Sequence, residues 1–171
     1  MSLNMLLAGV SISIALLAGP MVGYAGELAA PKGEVVLTVT GKITNTNGDG
    51  AARFDMAMLD ALEGRAATLE TPWTTGKVTF EGPFGRSLLK AVGAEGSVLK
   101  ITALNDYSAN VPVEDLRDHD TILATRFNGK LMSVREKGPI FLIYPFDKEA
   151  NLYTEAYFSR SVWQIKSITV E

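Results

Sequence analysis

From Ser97 to its end the chain is written almost wholly in short apolar runs rich in β-branched residues, broken by turn-forming pairs. A strand-rich fold is what such a pattern demands. Val98–Ala103, Thr121–Phe127, Leu131–Val134 and Ile140–Tyr144 are the candidate strands, and Ser161–Val170 is a closing one. Asn128-Gly129 reads as a two-residue hairpin turn between the middle pair, because both residue types tolerate the positive φ that turn requires.

The first half adds more strands and two short helices. Glu34–Thr44 alternates apolar and polar residues in part and reads as a strand, followed by a turn at Asn45–Gly50. Phe54, Met58, Leu59 and Leu62 then share one helical face, with Asp55 placed to cap the helix and Phe54 and Leu59 placed as a hydrophobic staple. Phe84, Leu88, Leu89 and Val92 repeat the spacing, with Pro83 near the start and Gly93 positioned to end the helix. Between the helices, Ala67–Leu69 and Lys77–Phe80 are strands around the loop Thr71–Gly76. No repeat or internal linker interrupts this order. The expectation is a single α+β domain, mostly mixed and antiparallel β with a few short helices.

Residues 1–26 carry no charged side chain, and Met5–Ala18 is a strongly apolar run broken by Gly19-Pro20. Gly23-Tyr24-Ala25 then offers small residues at the two positions a signal peptidase reads. The apolar run is shorter than the about 20 residues of a spanning helix. Residues 1–25 are therefore expected to be a secretory signal peptide, 26–171 the mature domain, and the periplasm its destination.

The chain has a net charge of -3 and no cysteine. With no basic excess, a nucleic-acid partner is not expected. Without cysteine there is no disulfide, no thiolate metal site and no thiol nucleophile. The single histidine, His119, sits in the polar turn Leu116–Asp120 and reads as a solvated loop residue rather than a catalytic base. No histidine pair, dinucleotide fingerprint or phosphate-binding loop is present.

What remains is a set of residues suited to a flat heterocycle. Asp106, in Leu104-Asn105-Asp106-Tyr107 at the end of an apolar strand, either accepts two parallel N–H bonds from an amino-pyrimidine ring or caps its own backbone in a turn. Trp73 lies in a small polar loop, and Trp163 lies in the closing strand near Arg160. Each is either a wall for such a ring or part of the core.

The blocks Phe80-Glu81-Gly82-Pro83, Ala103–Tyr107, Val111-Pro112, Phe127–Lys130, Lys137–Ile140 and Arg160-Ser161-Val162 running into Lys166-Ser167-Ile168 resemble, in order and spacing, the sulfite oxidase-like molybdopterin-binding family. The resemblance spans roughly Val35 to Val170. It implies that family's fold, and a cysteine ligand to molybdenum in the stretch that here reads Leu69-Glu70-Thr71-Pro72-Trp73. Hydroxyl and carboxylate oxygens are poor substitutes for a soft thiolate on that metal. A lysine expected after the Arg-Ser-Val block is replaced by Trp163.

The resemblance further implies that the ring-facing part of the site is kept, by Asp106 and by Arg160 with Ser161. The chain thus looks like the stand-alone periplasmic pterin-binding proteins of the PruR type. Implied with it are a reduced or molybdopterin-like pterin as ligand, no metal, and the periplasmic domain of a membrane-bound cyclic-di-GMP enzyme as partner. Trp73, Asn105, Asp106, Tyr107, Arg160, Ser161 and Trp163 are the candidate ligand-binding residues. The alternatives are a molybdopterin-dependent oxidoreductase or its non-catalytic subunit, and an interaction module whose pocket has decayed.

Overall fold

A computed structural model describes residues 28–171; the expected signal peptide over residues 1–25 lies outside them. Among the described residues no helix is long and apolar enough to cross a membrane. Within the described residues eleven strands form three sheets. In the five-stranded sheet β1 (Val35–Gly41) lies between β2 (Ala52–Asp55) and β11 (Ile165–Val170), and β5 (Val98–Ala103) and β6 (Ser108–Pro112) follow. The pairing of β1 with β11 is parallel and the others are antiparallel, so the sheet is mixed. A four-stranded antiparallel sheet orders β3 (Gly64–Leu69), β4 (Val78–Pro83), β8 (Arg126–Phe127) and β9 (Lys130–Leu131).

The third sheet is the pair β7 (Ile122–Ala124) and β10 (Phe141–Ile143), and it separates two cores. Alternate residues of a strand face opposite ways. Leu123, Ile140, Leu142 and Tyr144 therefore join the main core, while Ile122, Ala124, Phe141 and Ile143 join a second one with Leu69, Phe80 and Phe84. Strands buried on both faces must be apolar throughout, which is why these two runs show no alternation in the sequence.

Helix α1 (Met56–Asp60) starts as expected on Asp55, whose carboxylate accepts N–H bonds from Met58 at 2.9 Å and from Lys32 and Gly33 at 2.8 Å. Phe54 and Leu59 both enter the main core, but Phe54 belongs to β2 and the helix ends before Leu62. Helix α2 (Gly85–Val92) buries Leu88, Leu89 and Val92 and ends on left-handed Gly93. Asn128 and Gly129 take φ of 49° and 78° in the turn between β8 and β9, the backbone that an Asn-Gly hairpin favours.

Five expected strands are shorter than their sequence windows, Glu34–Thr44 pairing only over Val35–Gly41 and Ile140–Tyr144 only over Phe141–Ile143. Thr121–Phe127 divides into β7 and β8 because Thr125 donates its N–H to Glu81, passing the chain from one sheet to another. Leu131–Val134 pairs only at its start. Beyond it Ser133 donates its N–H and Oγ–H to the Glu136 carboxylate and opens a 3₁₀ turn at Val134–Glu136. Ser161–Val170 is strand only from Ile165, since residues 155–160 form helix α4 (Glu155–Arg160) and Ser161 caps it. The turn around Leu116 is also partly helical, as α3 (Val113–Arg117).

His119 is not a free loop residue. Its Nδ1 lies 2.8 Å from Glu149 Oε2, and the ring stands edge-on to Tyr157. Beside it Asp120 accepts from Lys148 and from Arg86, which in that order hold its carboxyl down to about 2. Asp55 is likewise held below its ordinary value of 3.8, first by the Gly33 and Met58 amides. For groups depressed on folding, the stabilisation is present above the unfolded-state pKa and is lost as pH falls through the folded one. Thermal midpoints should accordingly be flat from neutral pH down to about 4 and fall steeply between there and about 2. Asp120→Asn should make that fall shallower.

Candidate ring-binding site

The chain's two tryptophans meet although ninety residues separate them in sequence. Trp73, in the loop after β3, makes edge-to-face contacts with Phe141 at 5.4 Å, Trp163 at 5.8 Å and Phe158 at 5.9 Å between ring centroids. Together with Tyr107, Ala103 and Val162, three of these rings (Trp73, Phe158 and Trp163) wall a cavity of about 450 Å³, and Asn105, Glu155, Ser159 and Ser161 complete the lining. The volume is ordinary for a small-molecule site, which is typically about 300–1,000 Å³ and mostly apolar with a few polar groups.

The hairpin between β5 and β6 supplies one wall. Ala103 accepts from the Asp106 amide and donates to the Tyr107 carbonyl, while Asn105 Oδ1 accepts from the Tyr107 amide, and Asp106 takes a left-handed φ of 65°. The Tyr107 hydroxyl then donates to the Ser159 carbonyl, tying the hairpin to α4. Helix α4 and the residues after it supply the opposite wall. Buried Ser161 fixes their junction by donating its Oγ–H to the Tyr157 carbonyl at 2.8 Å.

Five of the seven candidate residues, Trp73, Asn105, Tyr107, Ser161 and Trp163, line this cavity. Asp106 and Arg160 stand outside the lining. Asp106 turns to solvent and accepts from Lys166 Nζ at 2.6 Å; that bond and charge hold its carboxyl below the usual range. Arg160 spends its guanidinium on the Asp115 carboxylate at 2.9 Å, and the same carboxylate oxygen accepts the Tyr144 hydroxyl at 2.7 Å. Trp163, expected within the closing strand, precedes β11 and is 37 % exposed, with the Lys137 ammonium 4.7 Å above its ring. Glu155, Phe158 and Ser159 are lining residues that the sequence reading did not include. Thr154 ahead of Glu155, a helix-start pair, was the signal that could have placed them on a helix.

The stretch that would carry a molybdenum ligand is the turn leading into Trp73. Thr71 is buried, its Oγ1 accepts the Trp73 amide, and it lies 3.0 Å from Thr74 Oγ1. A hydroxyl held inside its own turn is no stand-in for a thiolate, and the chain has no cysteine to supply one elsewhere. Among the described residues no group of three or more His, Asp or Glu side chains is placed to hold a metal. The donor set does not fit a thiolate-held molybdenum, whereas the aromatic cavity fits a flat organic ring.

No curated protein sequence matches the chain. Among solved structures, the sulfane dehydrogenase SoxCD from Paracoccus pantotrophus shares its fold, with a TM-score of 0.55 and 20 % identity over 85 % of this chain. The chain corresponds to 40 % of that protein's length. The family described as the oxidoreductase molybdopterin binding domain matches residues 48–169. On that match and this fold, the chain belongs to the oxidoreductase molybdopterin binding domain family.

Proposed function

We propose that the protein binds a pterin, without redox catalysis, in the periplasm, as a stand-alone member of the PruR type, and reports pterin status to a membrane-bound cyclic-di-GMP enzyme. The observation that carries the ligand is the aromatic cavity, walled by Trp73, Phe158 and Trp163, in a molybdopterin-binding fold whose loop offers threonine where a metal would need sulfur. Stacking on such walls holds a ring by its faces and asks nothing of a metal. Export and the signalling partner rest on the uncharged apolar leader and on the family resemblance.

Both of the chain's tryptophans line the cavity, so intrinsic fluorescence reports its occupancy directly. Titration with a reduced pterin is expected to quench that emission saturably, at one ligand per chain. Absence of a saturable signal with any of several pterins would defeat the reading. Elemental analysis tests the alternative, a molybdopterin-dependent oxidoreductase: one molybdenum per chain in protein from a competent host would replace the proposal with it.

A further inference from the structure

The cavity wall carries one formal charge, that of Glu155. The hydroxyls beside it direct their protons to backbone carbonyls and keep only neutral lone pairs. Tyr107 donates to the Ser159 carbonyl, Ser159 to the Ala156 carbonyl and Ser161 to the Tyr157 carbonyl. The Asn105 side-chain oxygen is taken by the Tyr107 amide. Asp106, next to two lining residues in sequence, accepts from Lys166, and Asp115 accepts from Tyr144 and Arg160. Among the described residues the Glu155 side chain makes no hydrogen bond and no ion pair. The cavity therefore presents, beside its aromatic walls, one uncommitted charged acceptor, the Glu155 carboxylate.

We infer that Glu155 is the residue that reads the ligand's edge, accepting two parallel N–H bonds from a 2-amino-4-oxo-pyrimidine. This rests on the ring-binding reading above and names its specificity. A carboxylate meets the adjacent exocyclic amine and ring N–H of such an edge as it meets a guanidinium, one oxygen to each hydrogen. It repels a ring bearing oxygen in place of the amine. Asp106, the candidate for this role in the sequence, turns its carboxylate to Lys166 and lies outside the lining.

The edge is common to pterins and to guanine, and it is altered in lumazine, which has the pterin ring with the 2-amino group replaced by oxygen. Affinities for a pterin, lumazine and guanosine are to be measured by calorimetry in mildly acidic buffer, with all three rings uncharged. The wild-type protein should prefer pterin over lumazine by about 10- to 100-fold, the size expected for charge-assisted bonds at a partly exposed site. Glu155→Gln should reduce that preference to about threefold or less while moving the thermal midpoint by no more than a small helix-terminus effect, since Glu155 is exposed and its side chain makes no hydrogen bond or ion pair.

Pterin binding without discrimination against lumazine, or discrimination removed by Asp106→Ala and untouched by Glu155→Gln, overturns the inference and leaves the pterin reading intact. Binding of guanosine but no pterin, with the Glu155 dependence, does the reverse. No binding of any of the three overturns both.

Discussion

Asp115→Ala is expected to destabilise the fold by about 1–3 kcal/mol, the usual cost of leaving a buried donor without its acceptor. Asp115 is 7 % exposed, and its carboxylate receives the Tyr144 hydroxyl and the Arg160 guanidinium on the same oxygen. Tyr144 has no access to solvent, and burial followed by the neighbouring Asp115 charge pushes its hydroxyl far above the ordinary value of 10. It is thus a permanent donor that the alanine variant would leave buried without an acceptor. Arg160 loses less, because its side chain is 32 % exposed and reaches water. Urea unfolding measures the effect. Asp115→Asn, which keeps an acceptor for Tyr144 but not the charge for Arg160, should cost clearly less. Since Arg160 ends the helix that carries Phe158 and Ser159, the alanine variant should also weaken ring binding in protein that remains folded. A loss under 1 kcal/mol would mean that the polar cluster does not hold the main core to the cavity wall.

The second large effect is expected at Gly82, in the Phe80–Pro83 block. Strand β4 passes so close to β7 that a Cβ at position 82 would overlap the Leu123 carbonyl oxygen and lie 2.8 Å from Ala124 Cα. Both obstacles are backbone, so no side-chain rotation relieves them. Gly82→Ala should therefore cost about 3 kcal/mol or more, at the upper end of overpacking. The damage would centre on β7, the strand that divides the two cores. Denaturant midpoints measure it, and a change below 1 kcal/mol would refute the close approach of the two strands. The glycine of this block thus has a packing reason that requires no ligand.

Much of the fold could be read directly. Strands β5, β7 and β10 stand out as apolar runs, Asn128-Gly129 marks its hairpin, and Gly93 ends α2. Helices α3 and α4 did not stand out, because five or six residues are too few to display a helical period and too few to be stable alone. Tertiary contacts make them: α4 is bound to its surroundings through Arg160 on Asp115 and through Tyr107 on Ser159. The cavity was legible in its aromatic and hairpin residues, Trp73, Asn105, Tyr107 and Trp163. It was not legible in Glu155 and Phe158, which reach it only because residues 155–160 are helical.

Composition and local pattern alone decided that this chain offers no thiolate to a metal, and that it must build sheets. Which carboxylate is left for a ligand was decided by folding. Asp106 meets Lys166 across 60 positions and Asp115 meets Arg160 across 45, and an ion pair between such distant residues exists only once the strands and helices have packed together. A sequence shows what each side chain can do, but whether it is already occupied depends on neighbours that only the tertiary structure supplies.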